Sequence, residues 1–253
     1  MSKEPERESR ETGPASVQPF AATRWSLVLA AGADSTVRAR RALEQLCQLY
    51  WPPLYAFVRR SGSPPHDAQD LVQGFFLQLL AKDALESVDP RKGKFRSFLL
   101  AALKHYLANE RDHARAQKRG GGAPPVSIDE RDAEGRYLQE PADPMTPEKL
   151  YERRWALTLL EQALARLRKE YAATGRAALF DQLKEGLAGG QHAPAQAEIA
   201  RRLDMTPGAV KVAAHRLRKR YREILREEIR DTVSRPEEIE EEIRHLFRSL
   251  AAP

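Results

Sequence analysis

Apolar side chains recur every three or four positions along most of the chain, and this spacing predicts amphipathic α-helices. The pattern is clearest in residues 39–62, 63–88, 89–119 and 147–175. No segment alternates apolar and polar residues with period two for long enough to predict a strand. We therefore expect an all-α fold.

Interruptions of the helical pattern predict two helical domains joined by a linker. Residues 1–22 are charged and aperiodic, which predicts a disordered tail. A first helical domain is expected over residues 23–119, in which the Pro52–Pro53 pair should kink or restart a helix. Residues 120–146 are acidic and rich in Gly and Pro, which favours a flexible linker over an ordered surface loop. Residues 147–230 form the second domain, and residues 231–253 an amphipathic C-terminal helix.

Residues 196–221, QAEIARRLDMTPGAVKVAAHRLRKRY, have the pattern of a helix-turn-helix. Ala200 is small enough for two helices to cross closely, and Asp204 can adopt the positive φ of the turn. Thr206 is a suitable N-cap, and Pro207 suits the first turn of the second helix. The remaining expected core positions are apolar, and they are Ile199, Leu203, Met205, Val210 and Ala213.

The basic residues of this segment indicate DNA binding. The chain has a net charge of only +6, but residues 205–222 carry six basic residues and no acid. The outward positions of the second helix can enter a major groove, and they are Lys211, Val212, His215 and Arg216, with Thr206 at the cap. Arg218, Lys219 and Arg222 suit phosphate contacts. A solvated basic helix without a ligand is the alternative.

Several classes of function lack support in the sequence. The single cysteine, Cys47, cannot form an internal disulfide or a zinc cage, and the histidines show no metal-ligand spacing. Paired catalytic carboxylates, a nucleophile motif and a phosphate loop are all missing, so we expect no enzyme, no cofactor and no metal. With no long apolar run and no signal sequence, we expect a cytoplasmic protein without membrane insertion.

Two further motifs carry a resemblance to a known family. DAQDLVQGFFLQLL and FRSFLLAALKHYLANERDHARAQKR resemble domain 2 of the extracytoplasmic function (ECF) class of sigma-70 family factors. Residues 147–228 resemble sigma domain 4. Within the motifs, Gly74 replaces an acid, Phe98 replaces Trp, and His105 stands where the family usually has Asn.

This resemblance implies a promoter-specificity subunit that binds core RNA polymerase through its clamp helices and flap, together with promoter DNA. The residues implied to contact polymerase are Asp70, Gln73, Phe76 and Leu77. Those implied to act at the minus-ten element are Lys104, His105, Asn109 and Arg111. The second helix of the helix-turn-helix would face the minus-thirty-five element, and the linker would follow the RNA exit path. An anti-sigma factor is a possible further partner.

Two other functions stay open from the sequence alone. A helix-turn-helix regulator could read DNA without joining polymerase, and a sigma mimic could titrate an anti-sigma factor. The C-terminal helix carries an apolar stripe at Ile239, Ile243, Leu246 and Leu250 and a cluster of acids before it. We expect it to pack on this chain, and we hypothesise that its acids shield the basic recognition helix.

Overall fold

A computed structural model describes residues 37–81, 94–117, 145–187, 196–233 and 235–251. These residues form helices and no strand, which confirms the all-α prediction. The helices are α1 (Val37–Arg60), α2 (Pro65–Ala81), α3 (Phe95–Gln117), α4 (Pro147–Ala173), α5 (Ala177–Leu183), α6 (Gln196–Arg202), α7 (Pro207–Arg230) and α8 (Glu238–Ala251), with a 3₁₀ turn at Lys184–Leu187.

The predicted tail at 1–22 and nearly all of the predicted linker at 120–146 lie outside the described residues. No helix in the described ranges is both long enough and apolar enough to cross a membrane.

Helix α1 continues through Pro52 and Pro53 instead of restarting there. Each proline lacks an amide N–H, so the carbonyls of Gln48 and Leu49 lose their usual helical partners. Tertiary packing compensates for this loss, because Leu49 and Leu54 are buried on either side of the pair. The continuous helix therefore spans the centre of the core.

The core is built around the packing of α1 on α4, which is the most extensive helix pair in the described part of the chain. Helices α2 and α3 cover other sides of α1. Tyr50 meets Phe95 edge-on at 5.3 Å between ring centroids, and Trp155 of α4 is fully buried. One continuous apolar cluster therefore joins helices from both predicted domains. The domain boundaries themselves stay a prediction.

The C-terminal helix α8 packs on α4 and α7, as expected from its stripe. Ile239 and Leu246 are buried, and Ile243 and Leu250 pack against the same core. Phe247 lies outside the stripe and leaves more than half of its surface exposed. The apolar stripe is thus satisfied within this chain.

Candidate nucleic-acid interface

Helices α6 and α7 are joined by a tight turn at Leu203–Thr206 whose geometry matches the sequence prediction. Asp204 has a φ of 50°, and it is the one described residue other than glycine with positive φ. The amide of Met205 donates to the carbonyl of Ala200 at 2.9 Å, which closes the turn. Thr206 Oγ1 accepts the amide of Ala209 at 3.2 Å and caps α7, with Pro207 at its first position.

The two faces of α7 differ sharply in chemistry. Val210, Leu217 and Ile224 are fully buried and face α4 and α6. The predicted core residues Ile199 and Ala200 are also buried, and Leu203, Met205 and Ala213 pack against them. Every predicted DNA-contacting residue is exposed on the opposite half of the helix or at its cap; they are Thr206, Lys211, Val212, His215, Arg216, Arg218, Lys219 and Arg222.

This exposed half of α7, defined by those eight residues, is called the basic face below. Residues 205–222 carry no acid, so no residue within this stretch neutralises the cations of the basic face. Val212 leaves half of its surface exposed, which places an apolar group between cations. Arg218 also reaches the carbonyl of Gly186 in the 3₁₀ turn, at 3.4 Å. Exposed cations beside an apolar group have the chemistry needed for phosphates, guanine edges and thymine methyl groups.

Arg220 belongs to the same run of bases but not to the basic face. Its Nε and NH2 donate to the two carboxylate oxygens of Glu170 on α4, both at 2.8 Å. It also contacts Glu223 at 3.2 Å and Glu227 at 3.3 Å. The hydrogen bonds to Glu170 raise the pKa of Arg220, and those from Arg220 lower the pKa of Glu170. Its charge therefore holds α7 on α4.

A groove of about 390 Å³ adjoins the basic face. One of its lining side chains is Arg176, a basic residue that the sequence did not predict to lie beside α7. Val212 and Arg216 line one side, while Leu179, Tyr171 and Arg176 line the other. The guanidinium of Arg176 lies 5.3 Å from the centroid of the Tyr171 ring, and its Nε donates to Thr174 Oγ1 at 3.1 Å. Nothing local in the sequence marks Arg176, because its place beside α7 depends on tertiary packing.

A second exposed polar surface lies on α3. The predicted minus-ten residues Lys104, His105, Asn109 and Arg111 are exposed on the side opposite the buried Leu99, Leu103 and Leu107. Lys104 Nζ lies 2.7 Å from Glu148 Oε1 of α4, and 5.7 Å from the centroid of the Phe57 ring. The hydrogen bond from Lys104 lowers the pKa of Glu148.

The residues predicted to contact polymerase do not all reach the surface of α2. Leu77 is 68% exposed, and Asp70 is partly exposed beside His66, with 3.2 Å between Oδ2 and Nδ1. Gln73 is half-buried. Phe76 is instead buried and stacks on Trp51 at 5.9 Å, because it faces α1. Its position is that of a packing residue beneath the surface formed by Asp70 and Leu77.

Three acids of α8, Glu240, Glu241 and Glu242, pair with cations outside the basic face, which does not support the shielding hypothesis. Glu240 pairs with Arg226, one turn beyond that face. Glu241 and Glu242 pair with Lys94, and Glu242 also pairs with Arg96 at the start of α3. The reason is the packing of α8 on α4, which brings the first turns of α8 to the start of α3.

One family of known proteins matches the helices α1 to α3. Residues 46–119 match the family model described as Sigma-70 region 2, which includes most of α1 and all of α2 and α3. No curated protein and no solved structure matches the chain. The match ends at Arg119, so the resemblance of residues 147–228 to sigma domain 4 stays a prediction. A Sigma-70 region 2 domain implies binding to core RNA polymerase in general, and it supports membership of this chain in the sigma-70 family.

Proposed function

We propose that this chain is a promoter-specificity subunit of bacterial RNA polymerase, of the ECF class. In this proposal the exposed part of α2 at Asp70 and Leu77 binds the clamp helices of core polymerase. The exposed side of α3 acts at the minus-ten element, and α6 and α7 act as a helix-turn-helix at the minus-thirty-five element. Such a subunit works in the cytoplasm, where it is not itself an enzyme.

The observation that carries the proposal is the presence of two features on one chain. Residues 46–119 match Sigma-70 region 2, and a capped helix with an acid-free basic face follows in residues 206–222. A DNA-binding regulator that acts alone needs no polymerase-binding domain. A mimic that only titrates an anti-sigma factor needs no exposed Lys211 and Arg216.

Runoff transcription tests the proposal directly. Purified chain and core polymerase are incubated with a library of randomised promoters, and the transcribed templates are sequenced. We expect enrichment of two sequence elements, which disappears when the chain is omitted. A regulator acting alone would bind DNA fragments but give no new transcripts, and a sigma mimic would enrich no sequence at all.

A further inference from the structure

The groove beside α7 and the basic face share part of their surface. Along α7 the groove is lined by residues three or four positions apart, which are Met205, Gly208, Ala209, Val212, Ala213 and Arg216. Val212 and Arg216 belong both to this stripe and to the basic face. A DNA duplex that contacts these two side chains therefore also lies at the mouth of the groove.

The dimensions of B-DNA predict which part of the duplex lies there. The major groove is about 12 Å wide, and a helix with its side chains is about 10–12 Å across. A helix seated in the major groove therefore fills it, and the two sugar-phosphate backbones run along its flanks. The groove beside α7 lies on one such flank, between the basic face and the buried side at Val210 and Leu217.

The lining of the groove suits a sugar-phosphate backbone. Gly208 and Ala209 have little or no side chain, and a β-carbon added to Gly208 would meet no atom within 4 Å. The approach along α7 is therefore open. Among the described residues that line the groove there is no acid, and its two cations, Arg216 and Arg176, lie on opposite walls. A phosphate entering the groove is attracted from both sides.

A tight turn fixes the position of Arg176 on the wall opposite α7. Gly175 follows the end of α4 with a positive φ of 70°, which favours glycine. The amide of Arg176 then donates to the carbonyl of Tyr171 at 2.8 Å. Its guanidinium lies over the Tyr171 ring, and its Nε donates to Thr174 Oγ1. These contacts use one of the five N–H donors and hold the guanidinium in place, so binding a phosphate costs little further side-chain entropy.

We propose that Arg176 binds a phosphate of the DNA backbone beside the minus-thirty-five element and thereby sets the position of α7 in the major groove. This inference rests on the proposed function, and it extends the DNA interface beyond the helix-turn-helix. A phosphate contact carries no base information, because the phosphates of all nucleotides are alike. Arg176 therefore contributes affinity and register, while Lys211 and Arg216 contact bases.

Neutralising one phosphate at a time tests this contact. The full chain with core polymerase is bound to a promoter selected by runoff transcription, and each fragment of a series carries one uncharged methylphosphonate in place of a phosphate. For the wild type we expect replacement of the contacted phosphate to weaken binding about tenfold, as for one hydrogen bond to a charged group. Arg176→Ala should bind the unmodified promoter about tenfold more weakly, and that replacement should then have no further effect.

Two further measurements separate a phosphate contact from a structural role. For Arg176→Ala, the slope of log affinity against log salt should become shallower by about one, and the loss should be equal for matched and mismatched minus-thirty-five elements. Arg176→Lys keeps the charge but not the planar guanidinium, so it should keep the salt slope and lose less affinity.

Arg248→Ala is the matched control, because it removes an arginine from an exposed position of α8. It should bind like the wild type. Urea unfolding followed by circular dichroism checks that each variant keeps its fold, which we expect because Arg176 is exposed.

The inference and the proposed function fail in different ways. If Arg176→Ala keeps wild-type affinity, or responds to every phosphate replacement as the wild type does, Arg176 binds no phosphate and only the inference is overturned. If the variant changes base preference instead, Arg176 contacts a base and the phosphate assignment is wrong. If the wild-type chain with core polymerase neither binds nor transcribes any promoter, the proposed function is overturned, and the inference with it.

Discussion

Gly74 of α2 lies directly under the hydroxyl group of Tyr106 of α3, and a β-carbon at residue 74 would overlap that oxygen. The resemblance to the ECF class indicated an acid at this position, and the helix is intrinsically weaker with glycine. The close approach of Tyr106 accounts for the residue, since a larger side chain would require the Tyr106 ring to shift. Phe75 packs against the same ring at 5.9 Å.

We therefore expect Gly74→Ala to destabilise the protein by about 1–3 kcal/mol, as for overpacking in other cores. Tyr106→Phe in the same chain should recover part of this loss, because it removes the overlapping oxygen. Urea unfolding followed by circular dichroism measures both effects. Gly208→Ala is the control, since no atom would meet its β-carbon and alanine favours the helix. If the Gly208 and Gly74 variants unfold alike, the overlap with Tyr106 is not a constraint.

Asp70→Lys should weaken binding to core polymerase and leave the fold intact. Asp70 is partly exposed, and its pairing with His66 on the same helix surface contributes little to stability. Pull-down of core polymerase measures the effect. Glu185→Lys makes the same change of charge on the 3₁₀ turn and should bind normally. Equal recovery by both variants would remove Asp70 from the polymerase surface.

Leu77→Ser should weaken the same complex through lost apolar contact. Leu77 is 68% exposed, so the free protein gains little from it, and its unfolding midpoint should change little. Phe76→Ser should do the opposite and unfold the domain at lower urea, because Phe76 is buried against Trp51. Affinity and unfolding measured on both variants separate the two roles. A loss of affinity for Phe76→Ser alone would place the polymerase contact elsewhere on α2.

Lys211→Ala and Arg216→Ala should each reduce selection at the minus-thirty-five element, by roughly 1–3 kcal/mol if the contact is to a base edge. Lys219→Ala should weaken binding to all sequences alike and flatten the dependence on salt. Binding to matched and mismatched promoter fragments over a range of salt concentrations distinguishes these outcomes. If all three variants lose affinity with no change in preference, the basic face is only an electrostatic anchor.

Local signals predicted the candidate interface better than the packing around it. Residues close in sequence determine the turn at Asp204, the cap at Thr206 and the apolar positions of α6 and α7, because these features depend on local backbone geometry and helical period. The ion pair between Arg220 and Glu170 could not be predicted, because the sequence does not show which basic residue of the run lies close to α4. The contacts of α8 were missed for the same reason: a stripe identifies the buried face of a helix, but not the surface that it meets.

Two arginines four residues apart on α7 offer a test of that distinction. Arg220 is held by Glu170, Glu223 and Glu227, whereas Arg216 is exposed on the basic face. We expect Arg220→Ala to lower stability by roughly 1 kcal/mol, as for a network of partly exposed ion pairs, and to change DNA affinity little. Arg216→Ala should instead lower DNA affinity and change stability little. Urea unfolding and DNA binding are measured on both variants. If each variant lost stability and DNA affinity equally, the two arginines would not have separate roles.

The pairing between Arg220 and Glu170 should also make stability depend on pH. The hydrogen bonds from Arg220 lower the pKa of Glu170 from its ordinary 4.5, so the folded state favours the ionised carboxylate. This contribution to stability is fully present above pH 4.5, and it is lost as pH falls through the lower pKa of Glu170 in the folded state.

The substitution Glu170→Gln removes this contribution at every pH. The variant should therefore be less stable than the wild type at pH 7, and the gap should narrow as the solution is acidified below about pH 4.5. Urea midpoints at several pH values measure the gap, and Glu185→Gln is the control for loss of one exposed charge. A gap of constant size down to pH 3 would show that the ionisation of Glu170 is not linked to folding.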